Sequence, residues 1–346
     1  MATPRDVQGI VELASAFYGS AALFAAIDCG LFAAVEKSGR IGDMASETGC
    51  DERALRLLAD ACVAEGLLEK ADGVYSNTQA GHVALLPGGP ADLTKAIRYN
   101  RDVYPAWGRL ADFARTGRPV ERPEIHLGED AARTKAFADA MFGRAMGIGK
   151  GVVPMLGSLS GRILDLAGGP GAYAILMCQA NPEVTCVTVD LPAISEAAKG
   201  YVGRFGLSGR IECRAGDYHI DEYESGAYDV VTIFGALHQE SPDQIVGILR
   251  RARRAMKPGG KLLVLDMMTD ATHTAPRFSA LFGLNMALTT ANGWVFSDEE
   301  LRGWMRESGF KPGETHHAPS PMPHWLVAAT VPDDHSSALD ELPSKC

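Results

Sequence analysis

The chain has no cysteines in C-x-x-C spacing, no excess of basic charge and no leader-like apolar start, and each absence removes a class of function. Its seven cysteines stand apart at positions 29, 50, 62, 178, 186, 213 and 346. An odd, scattered set fits reduced thiols in a core and offers neither a disulfide framework nor a thiolate metal site. The histidines and carboxylates show no ligand spacing either, so no metal is expected. A formal net charge of -10 and a pI near 5.4 argue against nucleic acid or an anionic membrane as partner, because both demand basic surface. The opening MATPRDVQGI lacks a charged segment leading into an apolar one. No uninterrupted apolar run approaches the ~20 residues of a membrane span. The expected location is the cytoplasm, and small molecules are the expected partners.

What is present is a 346-residue chain, 46% hydrophobic and 22% charged, long enough for two domains with a large core. Its organising stretch is RILDLAGGPG, residues 162 to 171. Ile163, Leu164 and Leu166 form a short apolar run that ends in a glycine turn, and Ala172 to Ala180 follow with helical spacing. Such a strand, turn and helix let a ligand approach the backbone, because Gly168, Gly169 and Gly171 carry no Cβ; Asp165 adds a carboxylate at the strand end. A second apolar strand ends in Asp190, close to the spacing at which an acidic residue takes ribose hydroxyls in the doubly wound fold. The turn does not match G-x-G-x-x-G, so a phosphate cradle is not required.

Upstream, residues 7 to 37 carry apolar positions at helical spacing, punctuated by Gly30. IGDMASETGC and DERALRLLADACVAEGLLE then read as two helices across a tight turn, and KADGVYSNT as a hairpin around Asp72 and Gly73. This order resembles a winged helix. Its second helix carries Asp51, Glu52, Asp60 and Glu65 against Arg53 and Arg56, too acidic for a DNA groove, so packing or dimerisation is the expected use. Residues 91 to 115 read as a helical stretch broken near Pro105, and a connector rich in proline and glycine follows.

Downstream of Asp190, helix and strand alternate: helix 193–205, strand 210–215, strand 228–234, helix 242–256 and strand 261–266. That alternation predicts a parallel sheet with helices on both faces, so Gly168, Asp190, Asp217, His238 and Asp266 all fall at carboxyl ends of strands, where ligands bind. A Met- and Leu-rich helix over 274–290, a capping box at Ser297 and Glu300, and a late strand HWLVAAT complete the pattern. The polar end of the chain reads as a disordered tail.

With these motifs in order, the chain resembles the small-molecule O-methyltransferases of the caffeate and acetylserotonin type over residues 8 to 330. The resemblance rests on the winged-helix segment, the DLAGGPG turn, VDLPAI, AGDYH, LHQESPD and MKPGGKLLVLD. It implies an α/β fold, a Rossmann-like class I methyltransferase domain over 116–335, preceded by a mainly helical dimerisation domain over 1–115 and followed by a tail at 336–346. It further implies S-adenosyl-L-methionine as cofactor and a homodimer. Carried over by position, Gly168, Gly169, Gly171, Asp190, Leu191 and Phe234 border the cofactor, Asp217 and Tyr218 lie by its adenine, and His238 is the general base. Two departures stand out: Phe234 where a basic residue is common, and Val295 where the family has a glutamate, leaving Asp266 as the acidic partner of His238.

Methyl transfer from a sulfonium is an in-line displacement, and holding the reactants ~3 Å apart supplies ~7 to 11 kcal/mol. A hydroxyl nucleophile also needs a base, which an imidazole provides near neutral pH. A thioether needs none, so S-methylation of a small thioether acid such as 4-methylthio-2-hydroxybutyrate is the alternative that Val295 keeps open. A non-enzymatic, cofactor-sensing regulator is the third reading. For an acceptor carboxylate the candidates are Arg98, Arg101 and Arg144, with Tyr99 and Tyr104 among them on helices that the resemblance places at the pocket wall; Met141, Met146, Met286 and Trp294 are candidates to line an apolar or aromatic slot. His219, His273, His316, His317 and His324 have weaker claims.

Overall fold

The computed structural model describes residues 4–89, 91–121, 131–319 and 322–333. The expected tail at 336–346 and residues 122–130 of the connector lie outside them. The chain divides into two compact units that meet at residues 105 and 106.

The N-terminal unit runs α1 (Val7–Ser15), α2 (Phe17–Asp28), α3 (Leu31–Lys37), α4 (Ile41–Thr48), α5 (Glu52–Ala64), the hairpin β1 (Leu68–Ala71) and β2 (Val74–Asn77), α6 (Gln79–Ala84) and α7 (Thr94–Trp107). Local chemistry sets its joints. Asp51 caps α5 by accepting from the Ala54 amide, and Gly49 closes α4 in the left-handed region at φ 68°. Asp72 and Gly73 both hold positive φ between strands paired Ala71 to Val74, the twist-matched turn of a two-residue hairpin. Leu31, Phe32, Met44, Leu55 and Tyr75 fill the core beneath. α7 continues past Pro105 to Trp107 instead of breaking there. A proline two residues from a helix end forfeits one backbone bond and leaves too few residues beyond it to force a kink.

The segment Val7–Asp28 is apolar although Glu12 interrupts it. By length and composition alone it could cross a membrane: an 18-residue window within it has a mean hydropathy of 1.7 and is 11% buried. Val7, Ile10, Val11, Phe17 and Tyr18 are all exposed.

The C-terminal unit holds α8 (Leu110–Thr116), α9 (Ala131–Val152), β3 (Arg162–Leu166), α10 (Ala172–Ala180), β4 (Thr185–Asp190), α11 (Pro192–Arg204), β5 (Ile211–Ala215), β6 (Tyr228–Phe234), α12 (Pro242–Ala255), β7 (Met256–Met267), α13 (Arg277–Thr289), α14 (Asp298–Glu307), β8 (Lys311–His317) and β9 (His324–Thr330). Among the described residues the strands form one sheet in the order β5-β4-β3-β6-β7-β9-β8. β3 to β7 are parallel; β9 runs antiparallel to β7, and β8 to β9. The sheet is therefore mixed rather than wholly parallel.

Alternation builds two buried layers. Leu164, Val187, Val231, Leu262 and Val264 face α12 and α14, while Ile163, Cys186, Val230, Leu263 and Leu265 face α9, α10 and α11. The chain winds outward from β3 to β5, then returns to the other side of β3 with β6. That reversal opens a crevice beyond the carboxyl ends of β3 and β6, the topological switch point where ligands bind in such sheets.

Lys257-Pro258-Gly259-Gly260, expected to end a helix, lies inside β7, where a register shift opposite Tyr228 and Val230 absorbs it. The capping box at Ser297 and Glu300 forms with both reciprocal bonds and opens α14.

Candidate active site

The turn after β3 is built from below. Asp165 is buried, with one carboxylate oxygen 2.6 Å from the Thr232 hydroxyl and the other 3.2 Å from that of Thr188. Burial raises its pKa to about 6, and the two hydroxyl bonds only partly offset this. Asp165 thus braces three strands beneath the turn. Gly168 is dictated by the same brace: a Cβ there would lie 1.9 Å from Thr188 Oγ1 and 2.3 Å from Asp165 Oδ2. Gly169 differs. It holds φ 56°, and a Cβ there would meet no protein atom within 4 Å. Its amide donates to Asp190 Oδ2 at 2.8 Å, and the Leu191 amide donates to Oδ1 of the same carboxylate at 2.8 Å. Burial still raises Asp190 to about 6. A buried carboxylate with so high a pKa gains from hydroxyl donors, and the diol of a ribose supplies two.

Beyond β5, Asp217 and Tyr218 come to the same edge. The Tyr218 hydroxyl donates to Glu240 Oε1 at 2.6 Å, and its ring stacks on His219 with centroids 4.4 Å apart. His219 lies between two carboxylates, Nδ1 2.7 Å from Asp217 Oδ1 and Nε2 2.8 Å from Glu240 Oε2. Phe234 closes β6 buried, its ring edge-on to Tyr173 at 4.9 Å.

Past β6 a single 3-10 turn, Leu237–Gln239, carries His238 into the crevice. Its Nδ1 lies 2.6 Å from Asp266 Oδ1, and its own amide is 3.2 Å from Asp266 Oδ2. The Met267 amide fixes the same carboxylate at 2.8 Å, and the Trp294 amide holds the His238 carbonyl at 2.9 Å. Asp266 accepts the Nδ1 proton, which leaves Nε2 as the basic nitrogen. Phe282 covers the ring edge-on at 5.1 Å. Val295 is buried, and Asp266 supplies the orienting carboxylate without a glutamate there.

The candidate acceptor residues separate. Arg98, Tyr99 and Arg101 belong to the N-terminal unit, where Arg101 donates to Asp28 at 2.7 Å and Arg98 lies 4.0 Å from the same carboxylate. Arg144 is half-buried on α9, its Nη2 3.1 Å from Met322 Sδ. Its charge acts on His324, whose Nδ1 is 3.3 Å from the Met322 carbonyl. Burial, reinforced by Arg144, lowers His324 to about 4 and keeps that imidazole neutral. Met141 is half-buried on the same helix and Met286 is buried in α13. Trp294 commits its indole N–H to the Glu240 carbonyl at 2.9 Å and packs among Phe296 and Trp304. Sequence reasoning misses Glu240 and Tyr173 altogether, and ranks His219 and His324 low. The signal available for Glu240 is its place two residues after the proposed base.

Among the described residues no group of three or more histidine, cysteine, aspartate or glutamate side chains is arranged to hold a metal ion. Glycine turn, acidic strand end and histidine at a switch point together define a Rossmann-like methyltransferase. Comparison with known proteins specifies it further: residues 125–311 match the O-methyltransferase domain and residues 11–86 the O-methyltransferase dimerisation domain, and the chain belongs to that family. It is similar to 3-hydroxy-5-methyl-1-naphthoate 3-O-methyltransferase of Streptomyces sahachiroi, 30% identical over 92% of this chain and 94% of that one. Among solved structures it is similar to an O-methyltransferase family protein from Burkholderia thailandensis, with a TM-score of 0.85 and 26% identity over 96% of this chain and 100% of that one. The fold is shared with human N-acetylserotonin methyltransferase crystallised with S-adenosylmethionine, at a TM-score of 0.84 and 24% identity over 96% of this chain and 100% of that one. The protein is a methyltransferase that uses S-adenosylmethionine.

Proposed function

We propose that the protein methylates a hydroxyl group on a small aromatic acceptor that carries a carboxylate, with His238 as general base. The observation that carries the reading is the 2.6 Å bond between His238 Nδ1 and Asp266 Oδ1. An imidazole held in that tautomer presents Nε2 as a proton acceptor, and the carboxylate stabilises the imidazolium formed when a hydroxyl gives up its proton.

In this reading Asp190 takes the ribose, the Gly169 backbone lies along the cofactor, and Asp217 and Tyr218 border the adenine. The cofactor supplies an electrophilic methyl on a sulfonium. The chain's part is to align the hydroxyl, exclude water and accept the proton at Nε2 of His238. Phe282 on α13 supports the exclusion of water, since its ring covers that imidazole. Arg144 is the proposed partner of the acceptor carboxylate: it is half-buried on α9, and the relative from Streptomyces sahachiroi is named for a hydroxylated naphthoate. The pairing of Asp266 with His238 supports the hydroxyl reading over the thioether alternative that Val295 kept open. The matched dimerisation domain and the exposed apolar residues of α1 and α2 support a homodimer.

A thermal-shift screen of acceptors with S-adenosylhomocysteine present, followed by mass analysis of turnover with S-adenosylmethionine, tests the reading. Hydroxyarene carboxylates should raise the Tm and gain one methyl on oxygen. Their decarboxylated analogues should bind more weakly by ~1.5 to 3 kcal/mol, the scale of a hydrogen bond to a charged group, and Arg144→Ala should remove that preference. Methylation of thioether acids in preference to hydroxyarenes would sink it.

A further inference from the structure

His219 ties together two segments that are 21 residues apart in the chain and adjacent at the crevice. One is the loop after β5, which holds Asp217 and Tyr218; the other follows the His238 turn and holds Glu240. Both ring nitrogens face carboxylate oxygens, at 2.7 and 2.8 Å. Carboxylates only accept, so satisfying both contacts requires an N–H at each nitrogen, which only the imidazolium provides. Glu240 is itself buried, and its other oxygen already takes the Tyr218 hydroxyl at 2.6 Å. The ring of Tyr218 lies stacked against His219. Tyrosine, imidazolium and two carboxylates therefore form one closed network along the β5 side of the crevice.

We propose that His219 is a positioning residue for the cofactor, bridging Asp217 to Glu240 so that Asp217 and Tyr218 are held in place at its adenine end. This rests on the placement of the adenine beside those two residues. The bridge depends on one proton. Burial alone would lower the His219 pKa, but the bonds to Glu240 and then Asp217 outweigh it and leave the ring above its ordinary value of 6.5. Nearby, Asp221 accepts from the Asp217 amide at 2.9 Å, and Asp243 and Arg251 of α12 line a shallow pocket together with Asp217 and His219. Above the His219 pKa the ring keeps one proton and one carboxylate loses its donor, so Asp217 and Glu240 are no longer bridged through the imidazole and the Tyr218–Glu240 bond alone joins the two segments.

Calorimetric titration of the full chain with S-adenosylhomocysteine from pH 6 to 9 tests the proposal, in the wild type and in Glu240→Gln. A glutamine accepts from Tyr218 through its oxygen and donates to a neutral His219 through its amide, so it keeps the bridge without the extra proton. Wild-type affinity should fall about tenfold or more between neutral pH and pH 9 beyond any fall in the variant. At pH 6.5 the variant should bind within about threefold of wild type. The amino group of the ligand titrates in the same range, but identically for both proteins, so the difference between the profiles reads the bridge. Parallel profiles offset by a constant factor would keep the adenine placement and overturn the role of the proton. Superimposed profiles would put the network away from the cofactor and overturn both.

Discussion

Asp266 holds His238 at two points, its Oδ1 2.6 Å from the ring Nδ1 and its Oδ2 3.2 Å from the backbone amide. One carboxylate therefore sets both the tautomer of the imidazole and the position of the turn that carries it. Asp266→Asn should lower kcat by about tenfold to a hundredfold with little change in KM for S-adenosylmethionine, because the amide no longer stabilises the imidazolium. Steady-state kinetics with both substrates varied would show this. A loss confined to cofactor KM would assign Asp266 to the cofactor instead of to the base.

The glycines of the turn should fail in different ways. At Gly168→Ala the new methyl would meet Thr188 and Asp165, so the fold should lose about 1–3 kcal/mol, the usual cost of overpacking. Gly169→Val adds a side chain toward no protein atom within 4 Å but at φ 56°, which costs about 1–2 kcal/mol of backbone strain and blocks the approach of the cofactor. Thermal melts with and without S-adenosylhomocysteine separate the two. Gly168→Ala should melt lower in both conditions, and Gly169→Val should lose most of the ligand-induced rise. Equal ligand-induced rises in wild type and Gly169→Val would refute the placement of the cofactor.

Asp190 gives the binding reaction an acid limb. Its pKa in the free protein is raised to about 6, and hydroxyl donors from a ribose favour the ionised form, so binding should release a proton near that pH. Affinity for S-adenosylhomocysteine should then weaken as pH falls below 6. In the unliganded protein the sign is opposite. A folded pKa above the ordinary 3.8 contributes stability that is full below 3.8 and lost as pH rises through about 6. Asp165 titrates in the same window, so Asp190→Asn is the control: it should bind more weakly at pH 7 and flatten the acid limb. A wild-type affinity constant from pH 5 to 7 would contradict the assignment.

Much of the fold is legible in the sequence because it is local. The apolar strand Tyr228–Phe234, the capping box at Ser297 and the glycine turn each depend on residues within a few positions of one another. The polar edge strand Lys311–His317 is not legible in that way, since its largely exposed residues leave no apolar alternation to detect. The apolar character of Val7–Asp28 is masked for a related reason: Glu12 breaks the run, yet the helices expose most of their apolar residues. At the site, Asp190, His238 and Asp266 announce themselves by ending strands or following them. The His219 bridge does not, because it joins Glu240 and Asp217 across a sequence gap that only the sheet order closes. The same limit hides the bracing by Asp165, whose partners Thr188 and Thr232 lie on neighbouring strands.

The most direct measurement is the pH dependence of methyl transfer by His238→Ala, with methyl-labelled S-adenosylmethionine and a hydroxyarene carboxylate that the wild type turns over. With the base gone, kcat should drop by about a hundredfold or more, and the residual rate should climb up to tenfold per pH unit as the hydroxyl ionises on its own. Near wild-type turnover, flat from pH 6 to 9, would contradict His238 as the base and with it the account of a hydroxyl acceptor activated by the His238–Asp266 pair.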